Sequence, residues 1–254
     1  MDIYVRPGDS FWYYSQLFRI PLQLIIDSNR NINPQTIQQG QRIQIPAYVA
    51  QNYQIKSGDS LWSIAMSRNL PLDTLFLINP NLNPNRLQIG QTIQVPLRIT
   101  WRLVNGKQNY TYEVMMNDIQ RLQTVYPFLQ VSSIGNSVLN RSIPEVLIGI
   151  GDKRVAYNGS FHANEWITTP TIMTFLNDYA LSLTNQTTIR GLITSPLYEQ
   201  TSLSIVPMVN PDGVNLVLNG PPELEPYRSN VIQWNNNSLD FSGWKANING
   251  VDLN

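Results

Sequence analysis

The sequence has no cysteine and a single histidine, His162. The first absence excludes disulfides and thiolate metal sites, and it leaves the redox compartment open, because cytosolic and secreted proteins alike can lack cysteine. The second means that any metal centre built on imidazole holds one imidazole and must complete itself with carboxylates. Charge is scarce too: 17 basic and 17 acidic residues cancel, charged residues make up 13% of the chain, and no stretch concentrates Lys or Arg. A nucleic-acid partner is therefore not expected. No run approaches the roughly 18 apolar residues of a membrane helix, and Met1-Asp2-Ile3-Tyr4-Val5 has no basic segment leading into an apolar one. These features predict a soluble protein without a signal peptide and with no membrane partner.

What the chain does contain is a repeat, and its 254 residues suggest more than one domain. A shift of 50 residues lays Gly8-Asp9-Ser10-x-Trp12 on Gly58-Asp59-Ser60-x-Trp62, Pro21-Leu22 on Pro71-Leu72, Asn29 and Asn31 on Asn79 and Asn81, and Gly40-Gln41-x-Ile43-Gln44-x-Pro46 on Gly90-Gln91-x-Ile93-Gln94-x-Pro96. Ungapped self-similarity of this kind marks two copies of one module. In the second copy Tyr53-Gln54-Ile55-Lys56 alternates as a strand, and Ser57 to Ser60 form a turn with helix-capping chemistry. Leu61, Ile64 and Ala65 fall at helical spacing. Leu70 to Asp73 open a second helix expected to turn Leu75, Phe76 and Ile78 inward, and residues 88–96 close with a strand. The result is strand-helix-helix-strand, with the two strands pairing.

This pattern resembles the LysM module over residues 3–46 and 53–96. The resemblance implies binding of glycans containing N-acetylglucosamine, peptidoglycan among them, in a shallow groove between the loop after the first strand and the loop after the second helix. Carried over, the groove residues are Gly8, Asp9, Ser10, Asn29 and Asn31 in one copy and Gly58, Asp59, Ser60, Asn79 and Asn81 in the other. Asp9 and Ser10 can equally be read as helix caps. Domain limits of 1–47 and 51–97 follow, with a linker over 98–108 and a further domain over 109–254.

In that further domain Tyr112 to Leu122 reads as an amphipathic helix burying Val114, Ile119 and Leu122. Strands are expected over 131–138, 144–150 and 154–159, a helix over 169–183, and a buried strand over 202–209. Alternating helices and strands indicate an α/β layer structure. His162 and Glu165 follow a strand and stand three residues apart, a spacing that can turn both toward one cation; a satisfied surface pair is the other reading. Downstream lie Asn210-Pro211-Asp212-Gly213, read as a turn set by Pro and Gly, then Gly243-Trp244-Lys245-Ala246-Asn247 and Gly250-Val251-Asp252-Leu253-Asn254.

The ordered series resembles the zinc carboxypeptidase A family over residues 109–254, closest to bacterial members that carry LysM modules and cleave the γ-D-glutamyl bond to diaminopimelate in peptidoglycan peptides. The resemblance implies a carboxypeptidase-like mixed-sheet α/β domain and one Zn²⁺. It makes His162 and Glu165 the first two zinc ligands and Asp252 the carboxylate that orients the histidine. Lys245 stands where an arginine often stabilises the oxyanion, and Asn254 matches the asparagine that holds the substrate carboxylate. In that family the third ligand, the general base and a further arginine lie beyond the position of Asn254. The expectation is therefore a truncated domain with doubtful activity, an apolar sheet edge left open and poor folding of 109–254 alone, against which a cooperative melting transition would count. A catalytically inert glycan-binding protein is the alternative. The resemblance, taken with the lack of a signal peptide, implies a cytoplasmic or spore location or one at the cell wall.

Overall fold

The computed structural model describes residues 1–254 and resolves two compact units, one of residues 1–101 with 124–128 and 183–187, the other of the remainder. In the first unit the repeat folds twice as strand-helix-helix-strand. The first copy contains β1 (Asp2–Tyr4), α1 (Phe11–Phe18), α2 (Leu22–Asp27) and β2 (Arg42–Gln44); the second contains β3 (Tyr48–Gln54), α3 (Leu61–Met66), α4 (Asp73–Ile78) and β4 (Thr92–Arg98). Both strand pairs are antiparallel, with Ile3 opposite Ile43 and Tyr53 opposite Ile93. β3 starts five residues before the expected Tyr53 and stops at Gln54, because Ala50, Gln51 and Asn52 find ladder partners in Pro96, Val95 and Gln94.

The core repeats with the same 50-residue shift. Ile55, Leu61, Ile64, Ala65, Leu75, Ile93 and Val95 form one buried cluster, and Val5, Phe11, Tyr14, Ser15, Ile25, Ile43 and Ile45 are buried at the equivalent places. Each large apolar member contributes about 1.5–3 kcal/mol on burial, which outweighs the weak propensity of helices of six to eight residues. Leu77 is buried in α4 whereas Phe76 and Ile78 are partly covered, so the inward stripe of that helix differs from the expected one by a residue.

The second unit contains most of α5 (Tyr112–Val125), then β5 (Gln130–Asn136), β6 (Ser142–Ile148), β7 (Lys153–Asn158), most of α6 (Thr168–Asn185) and a small hairpin of β8 (Thr188–Ile189) and β9 (Leu192–Ile193). It continues with α7 (Ser195–Gln200), β10 (Thr201–Val206), α8 (Pro211–Asn219) and α9 (Tyr227–Trp234). Four strands make a mixed sheet in the order β5-β6-β10-β7, antiparallel except for the parallel β10-β7 pair. The buried stripe of α5 is Met115, Asp118, Ile119 and Leu122, at i, i+3, i+4 and i+7. Val114 falls one position off this stripe and is only partly covered. Asp118 is tolerated there because the Tyr110 hydroxyl donates to it at 2.7 Å and Arg121 reaches it at 3.1 Å.

β10 alternates. Leu203 and Ile205 are buried while Ser202, Ser204 and Val206 are partly exposed, so it is half-covered rather than the fully buried strand its composition suggests. β7 lies at the sheet edge with Tyr157 exposed. Phe175 of α6 meets that ring edge-on at 6.4 Å. No helix is long and apolar enough to cross a membrane.

Candidate functional site

The parallel pairing of β7 with β10 carries on past the strand ends and sets up the site. Gly159 donates to Val206, Val209 donates back to Gly159 at 2.9 Å, and Asn210 donates to Ser160 at 3.0 Å. Ser160 is held at φ 52°, a left-handed conformation uncommon for a residue with a side chain. Its amide donates to the Thr168 hydroxyl at 2.7 Å, and its own hydroxyl meets Thr169 at 2.7 Å. The chain then turns sharply, and His162 caps a short 3₁₀ turn of Ala163–Glu165.

That turn closes the three-residue spacing. His162 Nδ1 lies 3.0 Å from Glu165 Oε1, and Nε2 lies 3.3 Å from Asp252 Oδ1. The imidazole is largely covered, with 16% of its side chain exposed, while both carboxylates are open to solvent. The hydrogen bond to Glu165 holds the imidazole pKa above its ordinary value against partial desolvation; the charges of Glu165 and Asp252 add to this and Lys245 opposes it. Each ring nitrogen thus faces its own carboxylate. An imidazole nitrogen and a carboxylate oxygen facing one another are donor types that zinc takes, so this pair fits two of the four positions of a tetrahedral ion. No group of three or more His, Cys, Asp and Glu side chains is arranged to hold a metal.

The segment carrying Lys245 and Asp252 is tied to the histidine turn through the backbone, because Ala163 donates to Lys245 O at 3.0 Å. Asn247 shapes the turn before Asp252, its Oδ1 accepting from Asn249 and Val251 at 2.9 and 3.0 Å. Lys245 and Asp252 line an open cavity of about 480 Å³ together with Trp234, Asn235, Trp244 and Asn249. Asn254 is exposed, and its backbone N–H donates to Asp252 Oδ1 at 3.1 Å. Two buried polar atoms without a partner, Asn164 Oδ1 and Trp244 Nε1, sit next in sequence to Glu165 and Lys245; unsatisfied groups of this kind are rare in a folded chain.

Asn210-Pro211-Asp212-Gly213 is not a free turn. It begins α8: Asn210 Oδ1 caps the helix by accepting from Gly213 N at 3.0 Å, and Asn210 Nδ2 donates to Phe161 O and Ala246 O at 3.2 and 3.1 Å. A Cβ on Gly213 would lie 2.5 Å from Asn210 Nδ2 and 2.8 Å from Ala163 Cβ, so only glycine lets α8 approach the histidine turn this closely. Asp212, with 2% of its side chain exposed, accepts from Leu139 N and Arg141 Nη1, both at 2.8 Å. The capping signal was present in the sequence as Asn before Pro.

In the repeats, the loop residues divide into groups with different work. Gly8 and Gly58 take φ of 82° and 86° with open space around them. Ser10 and Ser60 cap α1 and α3 by accepting from Tyr13 N and Ser63 N. Asp59 accepts from Lys56 N and the Tyr53 hydroxyl, which keep its carboxyl below the ordinary range. Asp9 accepts from Arg6 and the Tyr14 hydroxyl. Asn29 and Asn79 are brackets: each donates twice, to Ile25 O and Gln44 O or to Leu75 O and Gln94 O, and accepts from the strand amide at 2.8 Å. Asn31 and Asn81 are exposed. Trp12 and Trp62, each 63% exposed one residue into their helices, were missed as surface candidates although the repeat had marked them.

Known proteins match both parts of the chain. The LysM domain matches residues 3–46 and 53–96, and the zinc carboxypeptidase family matches residues 115–254. A Lysinibacillus sphaericus protein, γ-D-glutamyl-L-diamino acid endopeptidase 1, is 76% identical over all 254 residues, which cover 64% of its own length. An uncharacterized Bacillus subtilis protein is 40% identical over 161 residues, 62% of this chain and 43% of that one. The chain therefore spans less than two thirds of either relative. Among solved structures, the LysM domain of a Volvox carteri chitinase is 43% identical, covers 19% of this chain and all of that domain, and aligns with a TM-score of 0.19.

Proposed function

The chain belongs to the zinc carboxypeptidase family and carries two LysM domains, and from that premise we propose that it is a peptidoglycan-directed metallopeptidase acting on γ-D-glutamyl-diaminopimelate bonds. One observation carries the reading: the sole histidine faces Glu165 with one ring nitrogen and Asp252 with the other. In this assignment His162 Nδ1 and Glu165 hold zinc, and Nε2–H donates to Asp252, which fixes the tautomer and turns the other lone pair toward the metal. The chemistry supplied by zinc held there is polarisation of the scissile carbonyl and acidification of water. Lys245 offers a cation at the cavity wall for charge developing on the substrate oxygen, and Asn254 offers an amide to the substrate carboxylate. The similarity to the Lysinibacillus γ-D-glutamyl-L-diamino acid endopeptidase supports the bond type.

Replacement of Asp252 by asparagine is expected to weaken zinc binding about 10- to 100-fold, the range for losing a group that orients a ligand. Competition against a chromophoric chelator measures it, and an affinity equal to that of the unaltered protein would remove Asp252 from this role. Hydrolysis of a γ-D-glutamyl-diaminopimelate peptide, followed with zinc content, tests the activity itself. The second reading, an inert glycan-binding protein, is favoured by the donor count, since two ligands face one another and no third joins them. It predicts retention on peptidoglycan without turnover.

For the glycan we assign N-acetylglucosamine-containing peptidoglycan to the two LysM domains, with Asn31, Asn81, Trp12 and Trp62 as the groups free to meet it, and Asn29 and Asn79 holding the groove walls. Removing both exposed amides, Asn31→Ala with Asn81→Ala, should lower affinity for insoluble peptidoglycan about 10-fold, as the loss of two hydrogen bonds implies, with melting temperature unchanged. Undiminished retention in a pull-down would shift the contact to other residues.

A further inference from the structure

Both LysM domains lie within the first compact unit, and each loop carboxylate accepts from the amide three residues before it, Arg6 N at 3.2 Å and Lys56 N at 2.7 Å, yet the side chains that complete the hold differ. In the second domain Asp59 is held locally, by Lys56 N and Tyr53 Oη. In the first domain the residue equivalent to Tyr53 is Ile3, which has no hydroxyl. Tyr14 from α1 takes over the hydrogen bond to Asp9, standing where the second domain has Ile64. Arg6, equivalent to Lys56, adds its guanidinium: Nε and Nη2 bind Asp9 at 3.0 and 3.3 Å, while Nη1 and Nη2 reach across to both oxygens of Asp73, the first residue of α4 in the second domain. The Tyr13 hydroxyl donates to the same carboxylate. The residue equivalent to Asp73 in the first domain is Gln23, so the connection runs one way.

We propose that Asp73 is a positioning residue for the first glycan site: through Arg6 it locks the Gly8-Asp9-Ser10 loop against the second domain, so the first site depends on its neighbour and the second does not. This rests on the glycan reading given above. The planar guanidinium suits the task, since it can fork onto two carboxylates at once where the lysine of the second domain could not. Arg6 in turn keeps Asp73 ionised below the ordinary carboxylate range. Holding two sites in one rigid body also fixes their separation along a polymeric ligand, which is the condition for the second contact to add to the first.

The test is a titration of the full chain and its Asp73→Asn variant with a chain of four β-1,4-linked N-acetylglucosamine residues, following the backbone amides of Gly8 and Gly58 by NMR. Asp73→Asn keeps the side-chain shape and removes the charge; the dissociation constant reported at Gly8 should rise about fivefold, the effect of losing a half-exposed ion-pair network, while that at Gly58 stays unchanged. Asp73→Glu, which keeps the carboxylate, should recover most of the loss at Gly8, an outcome that a general weakening of the fold would not give. Equal weakening at both loops, or none at either, overturns the proposal while leaving the glycan reading standing. Absence of binding at both loops in the unaltered chain overturns the glycan reading and this proposal with it.

Discussion

Replacing Asp212 by alanine should destabilise the second unit by about 3–5 kcal/mol, the cost of breaking a buried ion pair from one side. Both carboxylate oxygens are engaged, one by Leu139 N and one by Arg141 Nη1, at 2.8 Å each. Leu139 and Arg141 belong to the turn joining β5 to β6, so Asp212 holds that turn against the start of α8. Loss of the carboxylate leaves an amide without its acceptor and a guanidinium, 23% exposed, without its counter-charge. At the size of this unit the change corresponds to a fall in melting temperature of about 10 °C. The double variant Asp212→Leu with Arg141→Met should recover most of the loss, because an uncompensated charge costs more than an absent pair. A melting temperature for Asp212→Ala within about 2 °C of the unaltered chain would show that the turn is held by other means.

The same residues show where sequence was legible and where it was not. The repeat was readable because Gly-Asp-Ser-x-Trp, Pro-Leu, the paired Asn residues and Gly-Gln-x-Ile-Gln-x-Pro recur at one fixed shift, and a pattern with that many matches leaves one register. His162 and Glu165 were readable because their pairing is local, closed by a single turn. Asp252 could be placed beside the histidine only through family resemblance, since 90 residues separate them and no periodicity spans that distance. Asn29 and Asn79 were visible as repeated polar residues, but repetition does not distinguish a ligand contact from a bracket; both patterns persist for the same length of sequence. Asn210 to Gly213 were misread for a related reason. Pro and Gly set local geometry, and local geometry says nothing about the carbonyls of Phe161 and Ala246 that approach from elsewhere. Trp12 and Trp62 were passed over because an apolar residue in a helix is usually assigned to the core.

Replacing Asn210 by alanine should cost about 3–4 kcal/mol of stability and should weaken the site as well. Three hydrogen bonds converge on this buried amide. Loss of the cap to Gly213 N alone is worth about 1 kcal/mol, and the carbonyls of Phe161 and Ala246 each lose a donor at about 1 kcal/mol or more. Those carbonyls belong to the residues next to His162 and Lys245, so the Asn210 side chain bonds both segments of the candidate site. If the site is assembled this way, Asn210→Ala should weaken zinc binding about 10- to 100-fold, as loss of a supporting residue does, at temperatures where the unit is still folded. Asp212→Ala, which touches neither segment, should leave zinc affinity near that of the unaltered chain under the same conditions. Equal zinc affinities for the two variants would mean that the histidine turn and the Lys245 segment keep their places without Asn210, held by the Ala163–Lys245 backbone bond and the His162–Asp252 contact.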